Sequence, residues 1–229
     1  MEIDRVFTLH KVAVSYYPSY VEEEAIHAVD ETIPVKAITA YVYEEFLQNL
    51  NKDFAKREGL LFVGGFAHPP NADAVLWFAK EVFPKIREQI KVNFYIVGSK
   101  VTDEIKALEQ PGNGIIVKGF VSEEELADLY RNCRIVVVPL RYGAGVKGKV
   151  VEAIYNGAPI VTTSVGSEGI PDVEKVLLVK DQPDEFAETV VELYKDEKRL
   201  EDLAEKTQVY IREHFSIDAA WDVIKEDFE

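Results

Sequence analysis

The sequence holds one cysteine, Cys133, in 229 residues. No disulfide can form within the chain, and a reducing compartment is the default. No uninterrupted apolar run approaches the length of a membrane span, and the opening MEIDR lacks the basic and apolar regions of a secretory signal. Positive charge is scarce: 26 Lys and Arg stand against 41 Asp and Glu, for a net charge of −15. So acidic a surface argues against nucleic acid or an anionic membrane as the main partner, because both would repel it. No Asp-x-Asp occurs, and His10, His27, His68 and His214 lack metal-ligand spacing, so no metal is expected. Internal repeats and low-complexity tracts are also missing. These absences leave a cytoplasmic protein whose partner is not a polynucleotide.

What is present is a rhythm. With 47% apolar residues, the chain can bury a sizeable core. Between residues 59 and 180, LLFVGG (60–65), VNFYIVG (92–98), GIIVKG (114–119), RIVVVPL (134–140), PIVTT (159–163) and VLLVK (176–180) read as strands. They alternate little, as expected of parallel strands covered on both faces. Helical patterns separate them, which predicts a doubly wound, Rossmann-like α/β domain with a parallel sheet. In the first intervening helix Asn71 is the expected cap, and Pro84 should kink or break it. Ser122 and Glu125 fit a capping box, and Asn156-Gly157 fits a helix stop. From residue 182 onward the pattern is helical. Residues 1–57 stand apart: KVAVSYY and VKAITAYV read as strands around a helix YVEEEAIHAV. That is too little to build a core alone, so residues 1–57 are expected to be a remnant of another domain plus a connector to 58–229.

One segment breaks the acidic character. From Leu129 to Val151 there are five bases, Arg131, Arg134, Arg141, Lys147 and Lys149, and no acid. Within it, RYGAGVKGK (141–149) forms an elbow between a strand and a helix. Open α/β sheets bind ligands beyond the carboxyl ends of their strands, and a helix start offers free N–H groups to an anion. Glycines let the backbone approach it closely. The elbow is therefore read as a diphosphate site. Val150, Val151 and Ile154 should face the sheet, while Lys149 and Glu152 share a face turned to the ligand. Glu152 either accepts bonds from two ribose hydroxyls or complements the helix start and Lys149. A minor alternative treats Gly143, Gly145 and Gly148 as the dinucleotide fingerprint, with Glu168 as its ribose acid.

PLRYGAGVKGKVVEAIYNGAPIVTTSVGSEGI, LLFVGGFAHPPNADAVLWFAKEVFP and VKGFVSEEELADLYRNCRIVVVPL together resemble the C-terminal, donor-binding half of the retaining family 4 (group 1) glycosyltransferases of GT-B fold. The likeness covers about residues 59 to 215. It implies a nucleoside-diphosphate sugar as substrate and metal-independent transfer of its glycosyl group. By position, Gly64 and Gly65 would lie against the diphosphate with Phe66 beside it. Backbone groups at Phe120 and Val121 would hold the base. Arg141, Gly143, Gly145, Val146, Lys147 and Lys149 would hold phosphates and sugar, and Glu152 the ribose.

Two departures stand out. The family's Glu-x7-Glu pair has its first position at Ala144, so the sugar contact is expected from Glu168 or from backbone N–H groups. The base many members carry after the first strand is absent, with only His68 nearby. Lys147 and Lys149 are the expected replacements and the expected catalysts. The resemblance places the acceptor (a glycan, a lipid-linked group or a protein) on an N-terminal domain of which this chain has at most the end. Any membrane contact would come through that domain, as would the crossing of the C-terminal helix around Trp221. A non-catalytic binding or interaction module is the reading from another class.

Overall fold

The computed structural model describes Leu9 and residues 11–228; His10 and most of the first ten residues lie outside them. A parallel pair, β1 (Ser15–Tyr17) and β2 (Val35–Ala37), flanks α1 (Tyr20–His27). Ile26, Ile33 and Val35 form a small core of their own there. The main sheet has six parallel strands: β3 (Leu60–Val63), β4 (Phe94–Val97), β5 (Ile115–Gly119), β6 (Ile135–Val138), β7 (Ile160–Thr162) and β8 (Leu177–Val179). Their order is β5-β4-β3-β6-β7-β8. The chain winds outward from β3 to β5, then returns to the centre at β6 and winds the other way. This is the doubly wound α/β fold expected.

The strands are buried because helices cover both faces, which their Val- and Ile-rich runs require. Leu60, Leu61, Phe62, Val137, Ile160 and Val161 are fully buried. α2 (Pro69–Trp77) follows β3. It does not break at Pro84. The missing N–H is accommodated upstream by a π-helical stretch, Phe78–Val82, where the Phe83 N–H bonds the Phe78 carbonyl. α3 (Phe83–Arg87) then continues the path. α4 (Asp103–Lys106) is one turn capped by Thr102. α5 (Glu123–Asn132) starts on Ser122, whose hydroxyl accepts from the Glu125 N–H; Glu125 sends its own carboxylate to Lys118 at 3.0 Å, so the capping box closes on one side only. α6 (Gly148–Tyr155) ends at Asn156, and Gly157 takes a left-handed φ of 67°. After the single turn α7 (Ser164–Ser167), three helices complete the chain: α8 (Pro183–Lys195), α9 (Glu197–Phe215) and α10 (Ile217–Ile224).

One of the five bases in the cationic segment is buried and structural. Arg134, only 7% exposed, donates to the carbonyls of Tyr194 (2.8 Å) and Phe54. Beside it Arg57, 3% exposed, donates to Tyr130 (2.9 Å) and Cys133 (2.9 Å) and lies over the Phe54 ring. Burial pulls its guanidinium down to about 10, still far above neutrality. These fans of bonds fasten the connector to the ends of α5 and β6.

The C-terminal helices return to the N-terminal piece. Tyr43 N–H bonds the Phe215 carbonyl at 2.8 Å, and Asp227 takes both the Tyr16 hydroxyl (2.6 Å) and Lys36 (2.7 Å). Trp221, on α10, stays 53% exposed. Replacing Arg57 by Ala leaves buried carbonyls without donors, which should cost roughly 2–4 kcal/mol, read as a lowered urea midpoint.

Candidate functional site

The reversal of winding between β3 and β6 opens the one crevice of the sheet edge where two strand ends diverge, the place such sheets bind ligands. Both glycine turns empty into it: Gly64-Gly65 after β3, and the 141–147 elbow after β6. The cleft between them has a volume of about 220 Å³ and is lined by His68, Pro70, Asn71, Tyr142, Gly143, Lys147 and Lys149, among others. Gly64 is needed for proximity, since a Cβ there would stand 2.9 Å from Lys149 Nζ. Gly145 has open space around it but a φ of 78°, which only glycine adopts cheaply.

The two helix starts at the cleft differ. α2 begins Pro69-Pro70, so its first two positions have no N–H to offer. α6 begins at Gly148 and Lys149, whose N–H groups have no acceptor within the helix. Of the two helix starts, α6 is the one with free N–H groups to offer. Tyr41, ahead of the main domain, packs against it, its hydroxyl 2.7 Å from where a Gly148 Cβ would be.

The expected cationic patch is thinner than its sequence. Acids from elsewhere reach its bases: Asp128 pairs with Arg131 (2.7 Å), Glu197 with Arg134 (3.5 Å), and Asp73 with Arg141 Nε (2.9 Å). Arg141 is thus turned onto α2, its guanidinium also over the Trp77 ring. Lys147 pairs with Glu168 at 3.0 Å and donates to the Gly145 carbonyl. The structure so joins two residues expected to act separately, and Glu168, which the dinucleotide alternative needs for a ribose, is engaged.

Lys149 alone among the five has no carboxylate within 4.0 Å among the described residues. Its ammonium bonds the Asn71 side-chain carbonyl and lies 5.0 Å from the centre of the Phe62 ring. Burial, reinforced by Lys147, pulls it down to about 8.

The remaining candidates spread around this centre. Val146 lines the cleft and also a second cavity of about 290 Å³, bounded by Ser19, Thr39, Gly169 and His214. Phe66 is a correction: its ring stacks toward Phe62 in the core at 4% exposure, and its N–H bonds Ser99 O at 2.8 Å. Asn71 is another. The helix cap position falls on His68, and Asn71 sits inside the first turn. Val150, Val151 and Ile154 are fully buried, as their spacing required. Glu152 does not line the Lys149 cleft. It is half-buried on the side of α6 toward α5, beside the buried Tyr130 hydroxyl. Burial raises the Glu152 carboxyl, and Tyr130 opposes the rise. Phe120 is 82% exposed at the end of β5, two strand spacings, about 10 Å, from β3.

A profile of the family described as "Glycosyl transferases group 1" matches residues 57–196. The chain belongs to this family. A relative from Klebsiella pneumoniae, described as an uncharacterized 44.6 kDa protein in the cps region, is 29% identical over 184 residues, covering 76% of this chain and 45% of its own. Among solved structures, a mutant of S. aureus TarM bound to fondaparinux, alpha-GlcNAc-glycerol and UDP superposes with a TM-score of 0.76 at 14% identity, over 98% of this chain and 45% of the other. The pneumococcal O-GlcNAc transferase GtfA with UDP and GlcNAc gives 0.71 at 20%, over 98% and 46%. Anabaena HepE with UDP and glucose gives 0.68 at 15%, over 95% and 63%. At these identities the structures share the fold, and the chain spans a little under half the length of the first relatives it matches.

Three residues of this group 1 chain's site went unforeseen. Asn71 was legible only as a polar residue near a helix start, and Tyr41 only as part of the expected strand VKAITAYV. Tyr130 reads as ordinary core on an amphipathic helix.

Lys149 carries a stability signature. Its folded value lies below the ordinary 10.5, so the unfolded chain binds more protons between about 8 and 10.5. The cost of its charge is present in full below pH 8 and fades as pH rises through that window. Lys149→Met should stabilise the free protein at pH 7 by about 1–2 kcal/mol after loss of the Asn71 bond. Urea titrations should show that gain shrinking between pH 8 and 10.5.

Proposed function

We propose that this chain is the donor half of a retaining group 1 glycosyltransferase: it binds a nucleoside-diphosphate sugar and transfers the glycosyl group to an acceptor held by a further domain. Residues 1–57 belong to the acceptor side and 58–229 to the donor side. The observation that carries the reading is the unneutralised charge of Lys149 beside the N-terminus of α6, at the switch point of the sheet. A protein keeps a half-buried ammonium without a counter-ion where a ligand brings one.

The diphosphate lies between the Gly64-Gly65 turn and the start of α6. The nucleoside extends toward β5, where Phe120 and Val121 offer backbone groups to the base. Glu152, on the flank of α6 toward α5, accepts from the ribose hydroxyls. In the reaction the bond from the anomeric carbon to the diphosphate oxygen breaks, its electron pair stays on that oxygen, and the acceptor oxygen bonds the same carbon and passes its proton to the departing diphosphate. Charge accumulates on the diphosphate, and Lys149 with the free N–H groups of α6 meets it there. Lys147, tied to Glu168, positions the elbow and presents Glu168 to the sugar. The lysines supply the positive charge, so the reaction runs without a metal. UDP is the nucleotide to test first, because the fold neighbours were crystallised with it. The acceptor is a glycan or a lipid- or protein-linked group.

One observation favours a second reading. Ala144 removes the family's first glutamate, and Glu168 is paired with Lys147, which fits a module that binds nucleotide without transferring sugar. Calorimetry with UDP, GDP and dTDP decides. Micromolar binding of one of them should weaken at least tenfold, about 1.4 kcal/mol, in Lys149→Ala and in Glu152→Ala. It should also weaken as pH rises through about 8, where free Lys149 loses its proton. Binding by a longer chain without sugar transfer supports the second reading, and silence across the panel refutes both.

A further inference from the structure

The side chain of Asn71 makes two bonds that no other residue type of its length could make together. Its amide nitrogen donates to the Gly65 carbonyl at 2.7 Å, and its amide oxygen accepts from Lys149 Nζ. A carbonyl demands a donor and an ammonium demands an acceptor, so the amide has one possible orientation. At 5% exposure neither end has water as a substitute. The residue thereby spans the two glycine turns of the cleft, one after β3 and one after β6, which no backbone bond joins at this point.

The other four bases of the cationic segment are held by carboxylates. Lys149 is held by a neutral carbonyl. The ionisable groups around it are Lys147 at its own helix start, His68 at the cap of α2, Tyr142 in the elbow and Tyr41 ahead of the main domain. None of these is a carboxylate. A dipole can fix an ammonium in place and favour its protonated form while leaving its unit charge intact, whereas a carboxylate would cancel it. One of the three ammonium protons is used and two remain for a ligand.

We propose that Asn71 is a positioning residue for Lys149: its neutral amide aims the ammonium into the cleft between the two turns and leaves its charge free for an anionic ligand. The proposal rests on the reading of Lys149 as the phosphate-binding charge, and its test is separable from that reading.

In the full chain, the titration of Lys149 is followed by carbon-13 NMR of the lysine side chains, with Lys149→Met assigning the signal. The free protein should titrate near 8. Asn71→Ala should lower that value by about one unit, and Asn71→Asp should raise it by about one unit. UDP affinity in Asn71→Ala should then fall about tenfold at pH 9 and little at pH 6. In Asn71→Asp it should fall about tenfold at both, because the charge is cancelled although the proton is retained. A merely structural Asn71 would weaken binding equally at all pH values and leave the titration in place, and that result overturns the proposal. If Asn71→Ala fails to fold, the upward shift in Asn71→Asp decides alone. If the unaltered chain does not bind UDP, the functional reading falls while the ligand-free titration still tests Asn71.

Discussion

The order of the six strands constrains everything else in this molecule. Because the chain winds out from β3 and returns to β6, two turns that are far apart in sequence become neighbours at the carboxyl edge of the sheet. The glycines, the helix start and the lysine acquire meaning only through that adjacency. The buried arginines Arg57 and Arg134 act at the opposite edge of the sheet, where they hold the connector against the end of α5 and the start of β6. Lys149 then meets Asn71 across the crevice, and the site is closed by one side-chain amide.

An acidic protein that keeps a free ammonium in a cleft must hold its own carboxylates away from it. Here the acids are taken up by the other bases: Asp73 draws Arg141 onto α2, and Glu168 pairs with Lys147. What remains at the centre is a single ammonium held by a dipole. Its cost to the fold and its value to a ligand have one origin, because the same desolvation that lowers its proton affinity strengthens its pull on a phosphate.

The sequence was a good guide to whatever depends on periodicity. Buried parallel strands show as Val- and Ile-rich runs, and the glycine elbow announces itself by composition, so the sheet, the order of its elements and the place of the crevice were legible. The three aliphatic residues of α6 followed from helical spacing. Charge pairing was not legible. The stretch without acids looked like a patch of five bases, but Asp73, Glu168 and Glu197 reach it from other elements, and only tertiary structure brings them there. Asn71 was misread because a polar residue near a helix start has a local explanation, and the two prolines before it shift the start of the helix. Phe66 was misread because a turn residue next to glycines can still aim its ring inward. Glu152 was expected to share a face with Lys149, but it lies on the flank of α6 beside Tyr130 and lines no part of the Lys149 cavity.

The last turn of the chain has a mechanical consequence. Asp227 grips Tyr16 and Lys36, and Ser216 bridges to Tyr43 in parallel register. The beginning and the end of the described chain are thus fastened to each other as well as to the sheet. Any displacement of β1 and β2 therefore carries α10 along with them. The cavity lined by Val146 and His214 is walled in part by these fastened pieces, with Ser19 and Thr39 from one and Val223 from the other.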